Sequence, residues 1–170
     1  MRSTGPGTPY VAVIGPSLAS ADEIDLAREV GALLATRGAI VVCGGHGGVM
    51  EAVCKGATQH GGQTVGVLPG NDRTEGNAYL TIALPTGLGE LRNGLVVRAA
   101  DAVIAVGGSW GTLSEIALAV RGGKPVIALK GWQLQPGAAG AVSAELDGPI
   151  PAESAEQAVA LAFDAITHSR

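Results

Sequence analysis

Basic residues, aromatic rings and cysteines are all scarce in this chain. Eleven Lys and Arg stand against fifteen Asp and Glu in 170 residues, a formal net charge of −4. Nucleic acids are held chiefly by neutralising their phosphates, so this balance argues against a DNA or RNA partner. The two cysteines, Cys43 and Cys54, lie in apolar runs and do not make the dense framework of a disulfide-stapled domain, so both read as reduced. No run approaches the roughly 18 apolar residues that span a bilayer, and the N-terminal MRSTGPGTPYVAVIG lacks a secretory signal. These absences together predict a cytoplasmic protein with no membrane partner. Charged residues make up only 15% of the chain, too few to cover its surface well, which favours a homo-oligomer with an apolar interface.

What the chain has in quantity is apolar residues, 46%, and glycine, 27 positions, a balance opposite to that of disordered chains. Its length fits one domain spanning 1–170. Short β-branched runs bounded by Gly or Pro at 10–15, 39–45, 63–70, 80–85, 102–108 and 125–131 predict buried strands. Helical periodicity near 21–37, 48–60, 88–99, 112–122 and 153–167 alternates with them. That alternation predicts an α/β fold, a Rossmann-like three-layer αβα arrangement around a mostly parallel sheet of about six to seven strands. Ser20 with Glu23, Thr112 with Glu115 and Ser154 with Gln157 each have the spacing of a capping box. The connections at 70–79 and 131–151 are long and rich in small residues, as functional lids or edge excursions often are.

In open parallel sheets, ligands bind beyond the carboxyl ends of the strands, where the strand order reverses. Three of the loops expected there are rich in Gly and small residues: Gly15 to Ser20, Gly44 to Gly48 and Gly107 to Thr112. Glycine lets a ligand approach main-chain N–H groups, and a following helix points its positive end at an anion. A nicotinamide dinucleotide fits poorly, because the loop after Cys43 lacks the third fingerprint glycine and the next strand ends in Leu68-Pro69 without an acid for the ribose. No phosphate-loop lysine motif is present either. The expected ligand is a small molecule with a compact phosphate group.

The segments GGHGGVMEAV, TGLGELRN and AADAVIAVGGSWGTLSEIALA together resemble the Lonely Guy (LOG) superfamily over most of the chain. LOG enzymes, often mislabelled lysine decarboxylases, are phosphoribohydrolases that cut the N-glycosidic bond of nucleoside 5′-monophosphates, and they carry PGGxGTxxE with an upstream Arg-Lys pair. Here Gly107 replaces the Pro, Ser109 the second Gly of the pair, and Arg92-Asn93 the Arg-Lys. Those departures are similar to the molybdenum cofactor carrier-like subgroup, whose members hold a phosphorylated pterin without needing to turn it over. The resemblance therefore implies a binding or carrier protein for a nucleotide or molybdopterin-type cofactor as cargo, with no cofactor required for itself. A nucleoside-monophosphate phosphoribohydrolase is the alternative. The resemblance also implies a homodimer or larger, with the helices near 88–99 and 112–122 at the interface.

Each candidate residue carries a functional and a purely structural reading. Glu115 is the catalytic carboxylate if the chain is an enzyme, or a helix cap with Thr112. Arg92 is a bidentate phosphate ligand and catalytic cation, or a surface residue paired with Glu90 or another nearby acid. Asn93 is placed to bond a base, pterin or ribose, or is simply solvated. Gly15, Gly44, Gly45, Gly48, Gly107, Gly108 and Gly111 supply the backbone of the binding loops, with hydroxyls from Ser17, Ser20, Ser109 and Thr112 that could equally bond their own backbone. Trp110 either stacks on a flat ring or anchors an interface. His46 and the two cysteines match no zinc spacing, so no metal is expected. Asp101 sits at the opposite end of its strand and has no site role.

Overall fold

The computed structural model describes residues 7–132 and 148–168. Seven strands form one sheet: β1 (Tyr10–Ile14), β2 (Ile40–Cys43), β3 (Thr64–Leu68), β4 (Ile82–Pro85), β5 (Ala102–Gly107), β6 (Val126–Gly131) and β7 (Ile150–Ala152). Five helices connect and follow them: α1 (Ala21–Thr36), α2 (Val49–Gln59), α3 (Asn93–Arg98), α4 (Trp110–Arg121) and α5 (Ala155–His168). All strand pairs are parallel, in the order β4-β3-β2-β1-β5-β6-β7. The expected three-layer arrangement holds, with β7 added at an edge. Three residues in Ile-Pro-Ala are too short a pattern to stand out in sequence. Residues 133–147, most of the long connection read as a candidate lid, lie outside the described residues.

Alternation along the strands divides the core. Val11 and Val13 of β1, with Ile104 and Val106 of β5, face the layer of α1, α2 and α5. Ala12 and Ile14, with Val103 and Ala105, face the layer of α3 and α4. Side chains two apart share a face of a strand, so one short apolar run serves both layers. The expected helix at 88–99 is instead a 3₁₀ turn, Gly89–Arg92, leading into the six residues of α3. Gly89 takes φ 56°, so a regular α-helix cannot run through it, and Leu88 offers no side-chain cap.

The caps required another correction. Ser20 and Glu23 form a full capping box on α1, and Ser154 Oγ accepts the Gln157 N–H at 3.2 Å. Thr112 and Glu115 do not cap anything. Helix α4 begins three residues earlier than the spacing predicts, because Ser109 is extended and its Oγ accepts the Thr112 N–H at 3.2 Å. Glu115 is thereby placed in the second turn, free of the helix end.

Helices α1 and α2 carry internal glycines that serve packing. A Cβ on Gly56 would meet the Arg28 carbonyl carbon at 2.8 Å and the Ala32 nitrogen at 3.1 Å, both backbone atoms of α1. Gly31 faces α2 in the same way, with the Ala57 nitrogen 2.9 Å from its ideal Cβ position. Ala raises intrinsic helix propensity by about 1 kcal/mol over Gly, but overpacking between rigid backbones costs about 1–3 kcal/mol or more. Gly56→Ala is therefore expected to lower the stability measured by urea unfolding; a stability gain would contradict this close approach.

Candidate functional site

The sheet order reverses between β1 and β5, so the loops leaving these strands diverge toward opposite layers. A cleft of about 360 Å³ opens there, at the carboxyl ends of the strands. Gly15 and Ser17 line it from the β1 loop, His46 and Met50 from the β2 side, and Pro69 from the end of β3. Its other wall is Gly89, Glu90, Arg92 and Asn93, completed by Ser109, Gly111, Thr112 and Glu115 at the start of α4. The structure thus brings residues of the three loops together with the Arg92 and Glu115 side chains. Sequence reasoning did not single out Met50, Pro69, Gly89 or Glu90 as lining residues, and no pattern in their neighbourhoods marks them.

Arg92 and Glu115 are the buried charges of this site, with only 9% and 7% of their surfaces exposed. Arg92 Nη1 lies 3.6 Å from Glu115 Oε1, and its hydrogen bond goes instead to Asn93 Oδ1 at 2.8 Å. Asn93 Nδ2 donates in turn to Ser114 Oγ at 3.3 Å, and Ser114 Oγ to the Gly111 carbonyl at 2.7 Å. This chain of bonds ties α3 to the first turns of α4 and aims the guanidinium along the cleft wall. Arg92 is not a solvated partner of Glu90. Its Nε has no hydrogen-bond partner among the described residues, and a guanidinium with unspent donors in a cleft is suited to an anion.

The glycine loop after β2 supports Arg92 from behind. A Cβ on Gly44 would sit 2.6 Å from both Nη1 and Nη2, so any larger residue there would push the guanidinium from this position. Cys43 Sγ accepts the Gly45 N–H at 3.3 Å and lies 3.5 Å from Cys54 Sγ, both cysteines being buried and free. Asn77, in the connection to β4, clamps the same loop. Its Nδ2 donates to the carbonyls of His46 at 3.0 Å and Gly45 at 3.3 Å, and its N–H to Gly45 at 2.9 Å. Asn77 was not identified from sequence, because a polar residue in a polar connection reveals nothing of a partner 31 positions away.

The remaining candidates lie beside the cleft. Gly48 is the N-cap of α2, Gly107 takes φ 68° where the register of β5 and β6 shifts, and Gly108 packs under the Trp132 ring. Ser20 is used as a cap. Trp110 points outward, 79% exposed, with its ring centroid 5.6 Å from that of Trp132. Asp101 accepts the Tyr10 N–H at 2.9 Å, at the far end of the sheet.

Burial pushes the Glu115 carboxyl up to about 7, while the nearby Arg92 charge works in the opposite direction. The folded chain therefore retains a proton on Glu115 between its ordinary value of 4.5 and about 7, an interval in which the unfolded chain has lost it. Stability should fall as pH rises through that window. Glu115→Gln removes this slope, so the variant should gain on the order of 2 kcal/mol on wild type between pH 4.5 and about 8 in urea unfolding. Parallel stability curves for the two proteins would show that this carboxyl is not desolvated.

Comparison with known proteins agrees with this fold. The molybdenum cofactor binding protein of the phototrophic bacterium Rippkaea orientalis superposes with a TM-score of 0.84 at 35% identity, over 95% of this chain and 99% of that one. The molybdenum cofactor carrier protein of Chlamydomonas reinhardtii gives a TM-score of 0.80 at 32% identity, over 94% and 99%. An uncharacterized protein of Archaeoglobus fulgidus is 42% identical over 120 residues, 71% of this chain and 79% of its relative. The model of the SLOG cluster4 family matches residues 8–159, nearly the whole length, and the chain belongs to that family.

Proposed function

We propose that the chain is a cytoplasmic binding or carrier protein for a phosphorylated small ligand, with a molybdopterin-type cofactor as cargo. The observation that carries this reading is the Arg92 guanidinium, nine-tenths buried in the cleft wall with an unpartnered Nε, opposite the amino end of α4. The positive end of a helix and a bidentate cation favour the same anion, and a phosphate between them would neutralise a charge that is otherwise costly to bury. Gly15, Gly89 and Gly111 line the cleft with backbone alone. The names of the Rippkaea and Chlamydomonas proteins supply the class of cargo, the molybdenum cofactor. A nucleotide would meet the same phosphate-binding groups.

One observation favours the alternative, a nucleoside 5′-monophosphate phosphoribohydrolase. Glu115 sits beside Arg92 with its carboxyl raised to about 7, the range in which a general acid or base works best near neutral pH. Against it, Asn93 replaces the lysine of the LOG pair, which leaves Arg92 as the single Lys or Arg lining the cleft among the described residues. We also propose a homodimer or larger assembly through the layer of α3 and α4. There Leu91 is 82% exposed, and Leu95 and Leu118 are exposed beside it, an apolar patch that a second copy would cover.

Native mass spectrometry of freshly purified protein should show two or more chains with a phosphorylated heterocycle retained. Arg92→Ala should lose that species and weaken binding of a phosphorylated ligand by at least about 10-fold, the typical effect of removing a buried charge-assisted contact. Retention of the species by Arg92→Ala would refute the phosphate site. Incubation with AMP or GMP, followed by chromatography, should release no free base. Release that disappears in Glu115→Ala would establish the hydrolase instead.

A further inference from the structure

Aromatic side chains are rare in this protein: two Trp, two Tyr and one Phe in the whole chain. Both tryptophans nevertheless meet at one place, from two different elements. Trp110 is the first residue of α4 and Trp132 directly follows β6, and their ring centroids lie 5.6 Å apart with planes inclined at 41°. Trp132 lies over the β5 loop, where a Cβ on Gly108 would meet its Nε1 at 2.6 Å. Trp110 is 79% exposed, although a large ring gains most from burial. A core-packing role accounts for neither the pairing nor the exposure.

The position of the pair is specific. Ser109 and Gly111, the two neighbours of Trp110 in sequence, both line the cleft, so Trp110 stands next to it where α4 begins, while Trp132, packed on Trp110, lines a second cavity with Lys130 and Pro151. Among the described residues, the lining of the cleft contains no Phe, Tyr or Trp. It provides charges and hydrogen-bonding groups for an anion but no broad apolar face for a flat ring. Trp110 supplies that face within one residue of the groups that would hold a phosphate.

We propose that Trp110 and Trp132 form the platform on which the planar nitrogen heterocycle of the ligand stacks while its phosphate occupies the cleft. This assignment rests on the phosphate-binding reading of Arg92 and α4, and it adds a determinant of specificity. Arg92 with the helix end selects for an anion, and the tryptophan pair selects among anions for those carrying a flat heteroaromatic ring, pterin or purine. Sugar phosphates and inorganic phosphate meet only the first requirement.

The two tryptophans are also the chain's own fluorophores, so one titration tests the platform directly. GMP, whose guanine shares the amino-oxo-pyrimidine edge of a pterin, is compared with ribose 5-phosphate on the full chain, by tryptophan fluorescence and by calorimetry. GMP should quench the emission and bind about 5- to 150-fold more tightly than ribose 5-phosphate, the range expected for one ring stacked on an aromatic side chain. Trp110→Ala and Trp132→Ala should erase most of that preference and leave ribose 5-phosphate binding unchanged. Trp110→Phe should retain part of it, and the exposure of Trp110 makes folding insensitive to either change there. Equal binding of the two compounds by wild type, or an unchanged preference in both Ala variants, overturns the platform and leaves the phosphate site standing. A change in oligomeric state alone would reassign the pair to a protein contact and also overturn it. Failure of wild type to bind any of these phosphates removes the phosphate reading and the platform with it.

Discussion

Between β1 and β5 the sheet reverses the direction in which it grows, and the loops that leave these neighbouring strands must turn to opposite layers. Nothing in the backbone can close the gap that opens between them. The first loop runs to α1 on one face and the second to α4 on the other. Every feature of the cleft follows from that divergence: the β1 loop as one wall, the amino end of α4 as another, and the segment returning from β4 as the third. The returning segment must cross β3, β2 and β1 to reach the position of β5, and this route carries Arg92 past the mouth of the gap.

Burial then determines the chemistry. Arg92 and Glu115 come from segments joined only by this crossover, and each loses most of its water when the segments meet. At 3.6 Å the pair is an ion pair without a direct hydrogen bond, so the attraction offsets only part of the desolvation. The remainder is visible in the Glu115 carboxyl, raised to about 7, and in the unpartnered Nε of Arg92. A site built this way has unspent capacity for an anion. The smallness of glycine contributes, for a Cβ at Gly44 would press on the guanidinium where it now lies.

Much of the fold was legible along the chain because its signals are local. Buried strands of a parallel sheet are short apolar runs ending in Gly or Pro, and six of the seven showed that pattern within a few residues of their observed limits. The glycine loops at the carboxyl ends were legible for the same reason. What escaped were relations between distant segments: Asn77 clamping the Gly45 loop, the glycines that bring α1 against α2, and the meeting of Trp110 with Trp132.

Glu115 marks the boundary between the two kinds of information. The spacing from Thr112 to Glu115 is three residues, which suits a capping box at a helix start and equally suits one turn inside a helix. The sequence by itself determined that a glycine-rich turn leads from a buried strand into a helix, because the apolar run, the glycines and the helical period all lie within some twenty consecutive residues. Only the tertiary structure decided what the carboxylate does. Ser109 takes the cap, α4 begins at Trp110, and the crossover brings Arg92 against Glu115 from 23 residues away, a contact that depends on sheet order and burial and leaves no trace in local spacing.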